Sequence, residues 1–200
     1  RNYDPRILRR LKKDVYSRYT MNMSKANNGF VLVLQDMKGG SIKGDTFTYE
    51  IVSANGRMAH DFSLVDDDKI SYGAYFVESA DLSDYDSAEP EENAEINLTV
   101  ARAELNTLRL MSDKSTRLII RERHTERLVL NIDLVQYILL TRERYEQKVG
   151  VKLTDQQYLD YEDSFSLMFV MMPTGSIVNP YAMVELRING WVVRSQSAEL

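Results

Sequence analysis

Thr46-Phe47-Thr48-Tyr49-Glu50-Ile51-Val52 alternates polar residues with aromatic and β-branched ones. A period of two is the mark of a strand with one face buried. Asn55-Gly56 follows and reads as a turn, since both residues tolerate positive φ. The same grammar extends in both directions. Upstream, Thr20–Met23 reads as a strand, Asn27-Asn28-Gly29 as a turn, and Phe30-Val31-Leu32-Val33-Leu34 as a buried strand. Lys38–Gly44 is a loop. Downstream, Ile70–Phe76 reads as one strand, with further strands over Glu95–Arg102, Thr107–Met111, Arg117–Arg121 and Arg127–Ile132. Arg123-His124-Thr125-Glu126 reads as a hairpin turn. Phe165–Met172, Tyr181–Ile188 and Trp191–Arg194 complete the set, the last two joined by a second hairpin signal, Asn189-Gly190. Trp191 is expected in the core.

Two helical segments interrupt the strands. Asp133 is an N-cap candidate for a helix carrying Leu134, Tyr137, Ile138 and Tyr145 and ending near Gly150. Thr154-Asp155-Gln156-Gln157 has capping-box spacing. Many short strands with frequent turn signals and little helix predict a mainly β fold, a β-sandwich or open barrel. The expected unit spans 18–200, behind a 1–17 leader or linker. That leader belongs to a segment, 1–25, with eight Lys/Arg against two Asp and helical apolar spacing at Ile7, Leu8, Leu11 and Val15. Residues 78–95 hold eight acids and no base, which predicts an exposed, mobile loop.

Composition limits the function classes. The 200 residues are 44% hydrophobic and 28% charged, enough for a real core. A net charge of −5 argues against nucleic acid as a partner. No apolar run approaches the length of a membrane-spanning helix. The absence of Cys excludes disulfides, thiolate metal sites and Cys nucleophiles. The chain opens Arg-Asn-Tyr-Asp-Pro without a signal peptide and reads as the C-terminal piece of something longer.

Motifs for chemistry are sparse. Gly39-Gly40-Ser41-Ile42-Lys43-Gly44 has phosphate-loop glycines, but Asp45 stands where Lys-Ser/Thr is needed, and its carboxylate would repel phosphate. His60 and His124 fall in turns with nothing to position a triad. Asp66-Asp67-Asp68 offers oxygens for Ca²⁺, but consecutive residues diverge, so a charged turn is the simpler reading. Hence no catalytic, cofactor or metal residues are assigned. Twelve Tyr and one Trp supply aromatic faces suited to sugars, or to half-buried strand positions.

One ordered series is more specific. Glu104–Met111, Leu130–Leu140, Asp155–Asp163, Met168-Phe169 and Ile188-Asn189-Gly190-Trp191-Val192-Val193-Arg194 follow one another. Phe47–Ile51, Asn55-Gly56 and Ile70-Ser71-Tyr72 stand upstream. The series resembles the second domain of the fimbrillin-associated anchor lipoproteins of Bacteroidetes, the family that includes minor fimbrium anchoring subunits. The resemblance implies a transthyretin-like Greek-key sandwich and a non-enzymatic anchor or accessory subunit of a type V fimbrium, serving cell adhesion and assembling by β-strand addition. It implies other fimbrial subunits and a preceding N-terminal domain as partners. It also implies a place on the outer membrane surface through a lipid anchor outside this chain. In that context Asp86-Ser87-Ala88 matches the O-glycosylation pattern of exported Bacteroidetes proteins, which makes Ser87 a candidate modification site. The alternative is a carbohydrate-binding surface lipoprotein domain, which requires exposed tyrosines gathered on one face. A third reading, an accessory domain of a surface enzyme, requires converging carboxylates or a metal.

Overall fold

A computed structural model describes residues 26–61, 63–81 and 99–195. The expected leader helix, the Thr20–Met23 strand, Ser87 and most of the acidic segment lie outside the described residues. The fold is mainly β, as expected. Its strands are β1 (Asn27–Asp36), β2 (Phe47–Ser53), β3 (Arg57–Met58), β4 (Leu64–Asp66), β5 (Ile70–Gly73), β6 (Phe76–Asp81), β7 (Thr99–Leu108), β8 (Thr116–Glu122), β9 (Leu128–Asp133), β10 (Ser164–Pro173), β11 (Tyr181–Ile188) and β12 (Trp191–Ser195). Three short helices, α1 (Leu134–Leu139), α2 (Arg142–Val149) and α3 (Asp155–Tyr161), are inserted between β9 and β10.

The strands form a six-stranded sheet, β12-β11-β10-β1-β7-β6, and a four-stranded sheet, β5-β2-β8-β9, with β3-β4 as a separate small hairpin. One core lies between the two sheets. Phe30, Leu32 and Leu34 from β1, Ala101, Ala103 and Leu105 from β7, and Phe165, Leu167 and Phe169 from β10 line one side. Phe47, Tyr49 and Ile51 from β2 face them with Leu118 and Ile120 from β8. In β2, β8 and β10 the period of two therefore reports burial correctly. β1 is the centre of its sheet. It pairs parallel with β10 and antiparallel with β7.

Local signals hold where the partners are close in sequence. Asp133 caps α1 by accepting from the Gln136 amide, and Thr154 and Gln157 form a complete capping box on α3. Gly150 closes α2 at φ 72°. Asn189 and Gly190 take φ 50° and 81°, which makes the two-residue turn between β11 and β12.

Several expectations are corrected. The helix after Asp133 is not continuous. The buried Thr141 hydroxyl returns to the Ile138 carbonyl at 2.7 Å and also meets Tyr158 Oη at 2.7 Å. A hydroxyl that bonds back to the preceding turn bends a helix, and α1 ends there. Thr107–Met111 is not a separate strand, because β7 runs unbroken to Leu108. Glu78 and Asp81 belong to β6 rather than to an acidic loop. Trp191 is only half-buried.

Both expected asparagine turns have another role. Asn28 is 4% exposed inside β1, and its amide donates to the Glu162 carbonyl while its oxygen accepts from the Leu110 amide. Asn55 is fully buried, donates to the Leu108 and Arg109 carbonyls and accepts from Tyr72 Oη. Neither Asn55 nor Gly56 is among the positive-φ residues. Each amide satisfies backbone groups that no ladder reaches.

Candidate functional site

A sheet edge presents unpaired backbone groups to which another chain could add, which makes the four outermost strands the candidate site. β12, at one end of the six-stranded sheet, is guarded. Arg144 of α2 donates Nη1 to the Val192 carbonyl at 2.9 Å, and Arg194 donates to Tyr137 Oη of α1 at 2.9 Å. In the four-stranded sheet, β5 is only four residues long, and β9 runs straight into α1. β6, six residues long, has β7 as its single strand neighbour among the described residues.

The register shows which groups β6 presents. Arg109 N bonds to the Ala26 carbonyl, so the odd-numbered residues of β7 turn their backbone groups toward β1. The even-numbered ones, Val100, Arg102 and Glu104, therefore face β6, where they stand opposite Ala80, Glu78 and Phe76. Val77 and Ser79 consequently turn their amides and carbonyls away from the sheet. This is a row that an added strand could pair with.

β6 is held in place from both faces. On the inner side Gly44 lies so close that a Cβ would come 2.1 Å from the Glu78 carbonyl oxygen. Its amide donates to Ser79 Oγ at 3.1 Å. The glycine read as part of a failed phosphate loop is thus a packing contact. On the outer side Arg102 pairs with both Glu78 and Glu104, with its guanidinium carbon 5.3 Å from the centre of the Phe76 ring.

The segment read as one strand, Ile70–Phe76, is two. Ala74 N bonds to the Tyr49 carbonyl in one sheet, and Tyr75 N bonds to the Glu104 carbonyl in the other. The chain changes sheets between these neighbours. The alternation of burial breaks there, with Tyr75 and Phe76 both exposed, but two adjacent aromatics read in sequence as the continuation of a strand.

The other sequence candidates do not converge. His60 and His124 are exposed turn residues. Asp66 pairs with Arg57 at 3.0 Å and accepts the Asp68 amide, while Asp67 pairs with Lys114 at 3.2 Å. Those bonds hold Asp66's carboxyl below its ordinary pKa, the Asp68 amide contributing most. Among the described residues no group of three or more His, Asp or Glu is arranged to hold a metal ion. No helix among them is long and apolar enough to cross a membrane. Of the large aromatic tyrosines, Tyr75 and Tyr161 are exposed, one before β6 and one at the end of α3. The gathering of tyrosines on one face that the alternative carbohydrate reading requires is therefore not seen among the described residues, although Tyr75 has Phe76 beside it.

Comparison with known proteins agrees with the fold. The family described as fimbrillin-A associated anchor proteins Mfa1 and Mfa2 matches residues 7–197. A candidate adhesin from Bacteroides thetaiotaomicron is 26% identical with a TM-score of 0.70, the match covering 92% of this chain and 57% of that one. A candidate polysaccharide-binding protein from the same organism is 27% identical with a TM-score of 0.62, over 88% of this chain and 52% of that one. The fimbrial anchor protein Mfa2 from Porphyromonas gingivalis shares the fold at 18% identity and a TM-score of 0.58, over 88% of this chain and 50% of that one. The chain thus spans 50–57% of the length of these structures. No curated protein matches it.

Proposed function

The chain belongs to the fimbrillin-A associated anchor protein family, and from that premise we propose that it is a non-enzymatic anchor or accessory subunit of a fimbrium, joined to a neighbouring subunit by β-strand addition along β6. The family match over residues 7–197 carries this reading. The 18–200 sandwich is then the second domain of a longer exported protein, with 1–17 as its linker and an outer-membrane lipid anchor outside this chain. Main-chain hydrogen bonds along the outward groups of Val77 and Ser79 supply affinity, and alternate side chains supply selectivity.

Electron microscopy tests the biological role. Cells lacking the gene should shed long filaments, and gold label on the tagged protein should sit at the filament base. Unchanged filaments with gold spread over the surface would reject it. Ser79→Pro tests the edge. Its amide faces away from β7, so proline costs no ladder bond but blocks pairing, at the loss of the single Ser79 Oγ acceptor of the Gly44 amide. The variant should fold and fail to join filaments.

A second reading, a carbohydrate-binding surface domain, is favoured by the 27%-identical neighbour described as a candidate polysaccharide-binding protein. It concerns the faces of the sheets rather than their edges, so both can hold.

A further inference from the structure

We infer that the outer face of β6 and β7 around Tyr75 is a binding site for a neutral oligosaccharide. The inference rests on the carbohydrate reading and is independent of strand addition.

Two aromatic side chains stand side by side in solvent there, Tyr75 at 62% exposure and Phe76 at 40%. The sheet change at Ala74–Tyr75 delivers both to one place. Phe76 lies opposite Glu104 in the register, and Tyr75 Oη donates to Glu104 Oε2 at 2.7 Å. Arg102 lies over the Phe76 ring and pairs with Glu104, which ties both aromatics to one carboxylate. The rings are therefore ordered before any ligand arrives, and ordering is a large part of what binding otherwise costs.

Polar groups border the rings. Asn106, two residues along β7 from Glu104, is exposed and faces Gly29 of β1. A Cβ on Gly29 would lie 3.5 Å from Asn106 Oδ1 and 3.7 Å from Ser164 Oγ. The amide of β7 and the hydroxyl of β10 thus lean together over a position without a side chain. The result is a shallow step beside the rings, edged by an amide, a hydroxyl and a carboxylate.

This combination fits a pyranose. The C–H face of the sugar packs against an aromatic ring. Its rim of hydroxyls needs both donors and acceptors. Asn106 and Ser164 offer both kinds, and Glu104 keeps acceptor capacity after serving Arg102 and Tyr75. The charge selects the class. Glu78 and Glu104 outweigh Arg102, so sialic acids and uronates meet net repulsion and uncharged sugars do not.

The test uses the full 200-residue chain on a glycan array carrying neutral, sialylated and uronate-containing oligosaccharides, then calorimetry with the strongest neutral oligosaccharide on that array. Binding of neutral glycans is expected. Tyr75→Ala should weaken it by about tenfold or more, while Tyr161→Ala, which removes the exposed tyrosine of α3, should leave it unchanged. Tyr75→Phe keeps the ring and should fall between wild type and Tyr75→Ala, which guards against a folding artefact. Neutral glycans bound equally well by Tyr75→Ala would overturn the site and spare the carbohydrate reading. No glycan bound, or only acidic ones, would overturn the site, and the first of these would remove the carbohydrate reading too.

Discussion

Phe47 on β2 and Tyr181 on β11 meet edge to face between the two sheets, their ring centroids 5.7 Å apart. Phe47 also meets Tyr49 at 6.4 Å and is 1% exposed. This contact joins strands that are not neighbours in either sheet. Removing it leaves a cavity between layers that cannot collapse independently. Phe47→Ala should destabilise the fold by about 3–5 kcal/mol, read as a lower urea midpoint at unchanged slope.

Asn55 is the second place where one side chain holds distant segments. Asn55→Ala would leave the Leu108 and Arg109 carbonyls and the Tyr72 hydroxyl without that partner. Each buried group left unpaired costs about 1–3 kcal/mol. Tyr72→Phe removes one bond and should cost about 1 kcal/mol. A double-mutant cycle should show coupling between the two positions, and strict additivity would contradict the direct bond.

Glu146 ties α2 to the loop after it. Its side chain is 5% exposed, and its oxygens accept from the Leu153 amide at 2.8 Å and from Lys152 Nζ at 3.0 Å. These bonds, the Leu153 amide first, hold its carboxyl below the ordinary 4.5. A depressed folded pKa means stability that is full above the unfolded value and lost as pH falls through the folded one. Glu146→Gln should therefore flatten the loss of stability below about pH 4.5, compared by urea melts of both proteins at pH 3, 4 and 7. Parallel curves would contradict the assignment.

Arg144 guards the β12 edge through the Val192 carbonyl. Arg144→Ala should change stability little, since the contact is exposed. It should increase self-association, because an unguarded edge is a template for pairing. Sedimentation velocity at rising concentration reads this directly.

Gly44 permits the close approach of its segment to β6. Gly44→Ala places a methyl 2.1 Å from the Glu78 carbonyl oxygen, which is backbone and cannot swing aside. A cost of about 1–3 kcal/mol is expected. Thermal melts should show it, and the edge strand should lose amide protection first.

What the sequence determined by itself was whatever depends on residues close together along the chain. Alternation marked the strands, since which face is buried repeats every two residues. Asp133 and the Thr154–Gln157 box marked their caps, since each bonds within three residues of itself, and Asn189-Gly190 marked its turn, since both residues take positive φ. The ordered series of signatures pointed to the family. Tertiary structure alone decided what each buried face meets. It set the parallel pairing of β1 with β10, the break at Thr141 imposed by Tyr158, and the use of Asn28 and Asn55 as staples rather than turns. It also brought Tyr75, Glu104, Asn106 and Ser164 onto one face. The reason is common to all of these. A polar or aromatic side chain states what kind of partner it needs, and only the folded chain determines which distant segment provides one.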